Sequence, residues 1–354
     1  MIRELLETLE SAGYSAYVVG GYTRDMLLGL SSYDIDIATS APTEVVSSLF
    51  DVAAKDEFGC VSFERENYHI EVTTYRIEKG YEDRKPTVLY FTDDILCDLQ
   101  RRDFTINAIC MDSKGEIYDP LDGQKDLKNG IIRAIGNIEE KMTEDPLRML
   151  RAIRFSLSRS FSIESELKEF IKEHVSLLGS LSSTRIKREL DEIFSSSDEY
   201  IDTLEYFGIL EIFNLKPHKD YVYTKDTICS WSEFDYPDSF QFKKSESILI
   251  KDIKTIVKQN RIDALSVFSY GLNACTKAGK ILGIEEEDIR LIYENLPIKD
   301  ETELAIDGEV ISILTGAKRE KIGMIKKDLL KRVISGNLPN REIDIKNYIV
   351  EKWK

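Results

Sequence analysis

The sequence predicts an α+β chain: a small mixed sheet with helices in residues 1 to about 136, then an all-α remainder. Three observations carry this. Short runs that alternate apolar and polar residues, or are rich in β-formers, are confined to the first part. From about 137 the apolar spacing changes to the three-and-four pattern of helices. The 354 residues suffice for two or more domains with a sizeable core.

In chain order, Ile2–Ser11 reads as an amphipathic helix and Ala16–Val19 as a strand. Arg24–Leu28 and Pro42–Phe50 read as helices. Asp34–Ala38, Cys60–Glu64, His69–Tyr75 and Ala108–Asp112 read as strands. Asp145 is placed as the N-cap of a helix with Pro146 at its first position. Leu147, Leu150, Ile153 and Leu157 then form its apolar stripe. Glu164–His174, Thr184–Phe194 and Glu199–Phe207 follow as helices. Residues 215–245, rich in Pro, Asp, Ser and aromatics without a period, read as an irregular connection. Helices resume from about 246 to 294, and Asn295-Leu296-Pro297 opens a last helical segment to Lys354.

A content of 42% hydrophobic and 32% charged residues describes an ordinary globular chain. No apolar run approaches the ~20 residues of a membrane span. The amphipathic start Met1-Ile2-Arg3-Glu4-Leu5-Leu6-Glu7 lacks a signal peptide's apolar core. Five scattered cysteines with no Cys-x-x-Cys argue for a reducing cytoplasm and against a cysteine zinc site. A net charge of −16 disfavours a general nucleic-acid binder. It leaves room for one whose basic residues share a surface. Candidates are Arg148, Arg151 and Arg154; Arg185, Lys187 and Arg188; and Lys318, Arg319, Lys321, Lys326, Lys327, Lys331 and Arg332. For the last two clusters, RNA binding and a solvated helix face stand level.

The chemistry begins in Tyr33-Asp34-Ile35-Asp36-Ile37. Strand alternation puts Asp34 and Asp36 on one face, roughly 7 Å apart at the Cα atoms. Like charges that close raise one pKa, and a cation offsets the repulsion. Mg²⁺ takes one or two carboxylates plus substrate phosphates. Upstream, Gly20-Gly21 stands at a strand-to-helix turn whose N–H groups can hold a triphosphate, and Arg24 adds a fixed charge one turn on. The combination points to metal-assisted phosphoryl or nucleotidyl transfer.

Three further segments belong with it. Glu71 points away from Ile70 and Val72, as either an exposed strand residue or a third carboxylate that completes the metal site or accepts a proton. In Gln100-Arg101-Arg102-Asp103-Phe104-Thr105-Ile106-Asn107-Ala108, a charged capped helix start is one reading; beside a phosphate site, Arg102 becomes a triphosphate or ribose ligand. In Glu144-Asp145-Pro146-Leu147-Arg148, the two charged residues Asp145 and Arg148 stand at i, i+3. By themselves they read as a helix cap and its ion pair. The alternative is that the carboxylate accepts from an exocyclic amine while the guanidinium donates to ring acceptors, which selects cytosine and adenine against uracil and guanine.

In this order the motifs resemble those of the class II tRNA nucleotidyltransferases, the CCA-adding enzymes, and their bacterial poly(A) polymerase relatives. Gly20-Gly21-x-x-Arg24-Asp25 with Asp34-x-Asp36, Arg101-Arg102-Asp103-Phe104-Thr105-Ile106-Asn107-Ala108, and Glu144-Asp145-x-x-Arg148 with Arg151 and Arg154 carry the resemblance. Leu304-Ala305-Ile306-Asp307-Gly308 and Gly336-Asn337-Leu338-Pro339-Asn340 support it. The resemblance implies a nucleotidyltransferase head over 1–136, a neck over 137–200, a body over 201–294 and a tail over 295–354. Asp34 and Asp36 would hold two Mg²⁺ ions, and Glu71 matches a further head carboxylate. Gly20, Gly21, Arg24 and Arg102 would bind nucleotide. Asp145 and Arg148 would select CTP and ATP, with Arg151 and Arg154 completing the pocket. Body and tail would hold the acceptor arm of tRNA by shape and phosphates.

Thr184 stands where relatives often carry Glu, and the absence of a His-Asp dipeptide implies no metal phosphohydrolase domain. Tyr75–Pro86, with Glu82-Asp83-Arg84-Lys85-Pro86, resembles the family's flexible loop. Enzymes that add only two cytidines have this loop shortened, so its presence favours addition of the terminal adenosine. The rivals are an A-adding or CC-adding enzyme, a poly(A) polymerase, a small-molecule nucleotidyltransferase and a non-catalytic tRNA-binding module.

Overall fold

The computed structural model describes residues 1–52, 59–82 and 85–353. They divide into two units, Met1–Asn214 and Leu215–Lys354. The first opens with α1 (Ile2–Ser11), β1 (Ala16–Val19), α2 (Gly21–Leu27), β2 (Asp34–Thr39) and α3 (Thr43–Phe50). Then come β3 (Cys60–Arg65), β4 (Tyr68–Thr74), β5 (Arg76–Glu82), β6 (Lys85–Phe91) and α4 (Ile95–Gln100). Next are a short 3₁₀ turn over Thr105–Asn107, β7 (Cys110–Met111), β8 (Ile117–Tyr118), α5 (Gly123–Asn129) and β9 (Ile131–Ile132).

The sheet order is β3-β4-β2-β1-β7-β8, with β2 and β4 parallel and the other neighbours antiparallel. The sheet is therefore mixed. Its alternation decides which face is covered: Ile35, Ile37, Ile70 and Val72 are buried against Leu5, Leu6 and Leu9 of α1. Asp34, Asp36 and Glu71, which alternate with these residues along the same strands, are left on the opposite face.

The helical part of this unit runs α6 (Ile138–Glu144), α7 (Leu147–Arg159), β10 (Ser162–Ile163), α8 (Ser165–Glu173), α9 (Ser183–Phe194), α10 (Tyr200–Tyr206) and α11 (Ile209–Ile212). The apolar stripe expected on α7 is buried, with Leu150 and Ile153 fully enclosed. The helix starts one residue later than expected, at Leu147. Asp145 still caps it, since its Oδ1 accepts from Leu147 N at 3.2 Å. Strand β9 pairs in parallel with β10, so the two sides of residue 136 are tied by a ladder.

Two expectations are corrected. The Tyr75–Pro86 segment is not a loop throughout: β5 and β6 form an antiparallel hairpin from Arg76↔Phe91 to Glu82↔Lys85. Ile77, Tyr90 and Phe91 are β-forming residue types that suit a hairpin. Asp83 and Arg84 of the expected motif lie outside the described residues. Residues 215–245 are not an irregular connection. They contain β11 (Lys216–Pro217), α12 (Thr227–Ser232) and β12 (Phe234–Asp235). Trp231 lies against Tyr236, Phe240 and Phe242 at centroid distances of 5.2 to 5.3 Å. Non-periodic aromatics here build a core by mutual packing.

The second unit continues with α13 (Lys244–Gln259), α14 (Ala264–Leu282), α15 (Glu286–Glu294), α16 (Gly308–Thr315), α17 (Arg319–Ile334) and α18 (Glu342–Trp353). Ile253, Cys275, Ile289, Ile311, Ile325, Leu329, Val333, Ile345 and Ile349 share its core. Gly271 breaks α14 with φ +79° and ψ +163°, a conformation that suits a residue without Cβ. All five cysteines are free. Among the described residues no helix is long and apolar enough to cross a membrane.

Candidate active site

A cleft of about 980 Å³ opens in the first unit on the carboxylate face of the sheet. Its walls come from the β1–α2 turn, β2, β4, the segment after α4, and helices α7 and α9. Gly20, Gly21, Arg24, Asp34, Asp36, Glu71, Arg102, Asp145, Arg148, Arg151 and Arg154 all line it. So do His69 and Arg159, which were given no site role from the sequence, and Arg185 and Arg188, which were weighed there as part of a basic RNA-binding cluster.

The sheet register assembles the acidic corner. Asp36 lies opposite Val19 on β1 and opposite Glu71 on β4, and Asp34 lies opposite His69. Gly20, directly after Val19, has φ +80°. A Cβ there would sit 2.8 Å from Asp36 Oδ2, so only glycine lets the backbone pass this close. The turn then aims the Gly21 N–H at the Asp36 carboxylate. Burial pushes the Asp36 carboxyl above its ordinary range; Glu71 and Asp34 add to this, against Arg102 and the Gly21 N–H.

His69 has a raised pKa, because Glu64 accepts from Nδ1 at 2.7 Å; its Nε2 lies 3.5 Å from Glu71 Oε1. Among the described residues no three His, Cys, Asp or Glu side chains converge as a ready-made metal cluster. Two aspartates that repel each other suit a hard cation completed by substrate phosphates. Asp34 and Asp36 therefore fit Mg²⁺ as a shared donor pair.

The cationic wall is held by pairs that sequence inspection missed. Asp98 of α4, fully buried, accepts from Arg101 Nε at 2.8 Å and from Arg102 Nη2 at 3.0 Å. Burial pushes its carboxyl up, but Arg102 and Arg101 more than offset this and hold it below the usual range. Its spacing of three and four residues from these arginines was the available signal. Arg151 closes on Asp103 Oδ2 through Nε at 2.8 Å and Nη2 at 2.6 Å. Asp103 Oδ1 accepts from Asn107 Nδ2 at 3.0 Å, and Asn107 Oδ1 accepts from Arg24 Nη1 at 2.6 Å. Arg24 Nε and Arg159 Nη2 both reach Asp25 Oδ1 at 2.9 Å. The network thus leaves α7 at Arg151, crosses the sheet side of the cleft and returns to α7 at Arg159.

Asp145 and Arg148 both face the cleft, with other partners as well. Arg148 Nη1 donates to Lys141 O at 2.7 Å and Glu144 Oε2 at 3.2 Å. Asp145 Oδ2 lies 3.6 Å from Arg185 Nη2 of α9. Arg154 Nε lies 3.3 Å from Glu189 Oε2. The basic cluster on α9 divides: Arg185 and Arg188 line the cleft, while Lys187 pairs with Asp191 at 2.8 Å.

Residues 16–133 match the poly A polymerase head domain. Residues 160–218 match the probable RNA and SrmB-binding site of polymerase A, and residues 235–349 a putative tRNA nucleotidyltransferase domain 2. The CCA-adding enzyme of Ligilactobacillus salivarius is 34% identical over 97% of this chain and 94% of its own length. The chain belongs to the class II CCA-adding enzyme and poly(A) polymerase family. The CCA-adding enzyme of Limosilactobacillus reuteri is 32% identical over 96% of this chain and 93% of its own. Among solved CCA-adding enzymes, that of Bacillus stearothermophilus in complex with CTP matches with a TM-score of 0.87 and 24% identity. That match covers 99% of this chain and 96% of that one. The Thermotoga maritima CCA-adding enzyme complexed with tRNA matches with a TM-score of 0.68 at 21% identity, over 99% and 94%. The family's α+β architecture is the one observed here, with the small mixed sheet at the N-terminus and helices beyond it.

Proposed function

We propose that the chain is a cytoplasmic CCA-adding tRNA nucleotidyltransferase that adds C, C and A from CTP and ATP to the tRNA 3′ end without a nucleic-acid template. The observation that carries this is the cleft, which gathers two strand aspartates and a wall of arginines in a chain that is −16 overall. Curated CCA-adding relatives at 30% to 34% identity over nearly the whole chain support it.

The primer's terminal hydroxyl oxygen bonds to the α-phosphorus, the bond to the bridging oxygen breaks, and pyrophosphate leaves. Asp34 and Asp36 would hold Mg²⁺, which when bound neutralises charge on the attacking and departing oxygens. Glu71, in register with Asp36, would accept the hydroxyl proton. Arg24, Arg102, Arg151 and Arg154 would bind the nucleotide's anionic groups beside the Gly20-Gly21 turn. Asp145 and Arg148 would read the base edge. Residues 1–136 would act as head, 137–200 as neck, 201–294 as body and 295–354 as tail, the last two holding the acceptor arm. The β5–β6 hairpin occupies the segment associated with addition of the terminal adenosine, which supports the full CCA product over a CC-only one.

The test is to incubate the protein with tRNA lacking its 3′ end and each labelled nucleotide, then size the products. Two additions from CTP followed by one from ATP are expected. Asp34→Ala and Asp36→Ala should each abolish both. Addition of ATP alone to a CC-ended tRNA, or of long A runs, would replace the reading by an A-adding enzyme or a poly(A) polymerase. Tight tRNA binding with no addition would leave a binding module.

A further inference from the structure

We propose that Phe155 is a positioning residue for nucleotidyl transfer, its ring gathering Arg24, Arg151 and Arg154 into one cationic wall of the cleft. This rests on the reading that these arginines form the nucleotide side of the site. The three guanidinium carbons lie 5.0, 5.6 and 4.6 Å from the ring centroid. Arg24 comes from α2 and the other two from α7, so the ring joins cations of two separate elements.

The ring is itself fixed. Phe155 is 7% exposed and meets Phe104 edge-on, at 5.9 Å between centroids and 86° between planes. The anionic partners of the three arginines lie in different segments: Asp25 for Arg24, Asp103 for Arg151 and Glu189 for Arg154. Asn107 and Asp103 bridge Arg24 to Arg151, and Arg154 pairs separately with Glu189. The electron-rich ring face is the feature all three share, and it attracts each of them. A leucine here would keep an apolar side chain on the same helix face, but would offer the cations no ring. Looser arginines weaken capture of a triphosphate while leaving the reacting carboxylates untouched, so the effect belongs in KM and not in kcat.

The test places ring-fluorinated phenylalanines at position 155 by nonsense suppression, because fluorine drains the ring face at nearly constant shape. KM for both CTP and ATP should rise stepwise with each added fluorine at near-constant kcat and melting temperature. A trifluorinated ring should cost roughly tenfold, between the size of an exposed and a fully desolvated cation–π contact. Phe155→Tyr should rescue; Phe155→Leu should resemble the most fluorinated variant. If Phe155→Leu fails to fold, the fluorinated series still decides. An unchanged KM across that series, or a fall in kcat at unchanged KM, would overturn the proposal. Arg154→Ala, measured alongside, separates the two ideas. If it raises KM while fluorination does not, only the role of the ring is lost. If it leaves KM unchanged, the assignment of these arginines to the nucleotide fails.

Discussion

Arg151 holds Asp103 by two nitrogens on one carboxylate oxygen, at 2.8 and 2.6 Å, and so pins α7 to the segment after α4. Burial pushes the Asp103 carboxyl up, but Arg151, Asn107 and the Phe104 N–H draw it down to about 2. Its folded pKa is thus below the ordinary value of 3.8. The stability it adds is fully present above about pH 4 and is lost as pH falls toward 2. Asp103→Asn should cost about 2 kcal/mol at pH 7. The gap from wild type, read by denaturant titration, should close as pH falls toward 2.

Gly20→Ala should damage activity more than folding. Its Cβ would meet Asp36 Oδ2 at 2.8 Å, and its φ of +80° with ψ of −135° adds about 1–3 kcal/mol of backbone strain. A modest drop in melting temperature with a large loss of kcat for both CTP and ATP is expected. Wild-type kcat in this variant would show that Asp36 does not need its present position.

Arg148→Ala should relax selection against UTP and GTP by roughly ten- to a hundredfold, since one bidentate contact carries about 1–3 kcal/mol of discrimination. Asp145→Asn isolates the second residue. Asparagine keeps the acceptor that caps Leu147 N but loses the charge facing Arg185 and the base. Misincorporation with all four nucleotides should rise at unchanged stability. Wild-type selectivity would leave Asp145 as a cap.

Glu233 gives the opposite pH signature in the second unit. It is 2% exposed, and burial pushes its carboxyl up to about 7, against a hydrogen bond from Val222 N. The folded state therefore binds the proton more tightly than the unfolded one. Stability falls as pH rises from about 4.5 to 7, by on the order of 3 kcal/mol. Glu233→Gln keeps an acceptor for Val222 and removes the charge. It should match wild type near pH 4 and exceed it at pH 8 in denaturant titrations.

The exposed face of α17 tests the tRNA footprint. Its buried side is Ile325, Leu329, Leu330 and Val333, which leaves Lys327 and Lys331 exposed and Lys326 half-buried. Reversing all three lysines to Glu should weaken tRNA binding and flatten its salt dependence, because fewer counterions are released. CTP affinity should not change. Unaltered tRNA affinity at each salt concentration would move the footprint elsewhere.

The sequence by itself determined the chemical inventory and the local geometry. Alternation in Asp34-Ile35-Asp36-Ile37 and His69-Ile70-Glu71-Val72 decided which side chains leave the core, because period 2 is a property of each strand alone. The three-and-four spacing of α7 likewise fixed its buried stripe. The order of the glycine turn, the aspartate pair and the two arginine motifs points to the family without reference to the fold.

Tertiary structure alone decided what holds those groups in place. Arg24 meets Asn107 across 83 positions, Arg151 meets Asp103 across 48 and Arg159 meets Asp25 across 134. No periodicity encodes such partners, because they are chosen by which elements pack together. The register of β2 on β4 set Asp36 beside Glu71, and the φ of Gly20 brought a backbone N–H to the same carboxylate. The hairpin at β5–β6 and the aromatic core around Trp231 escaped a periodic reading for the same reason. Their order comes from contacts across the chain, and spacing along it records only what each segment does alone.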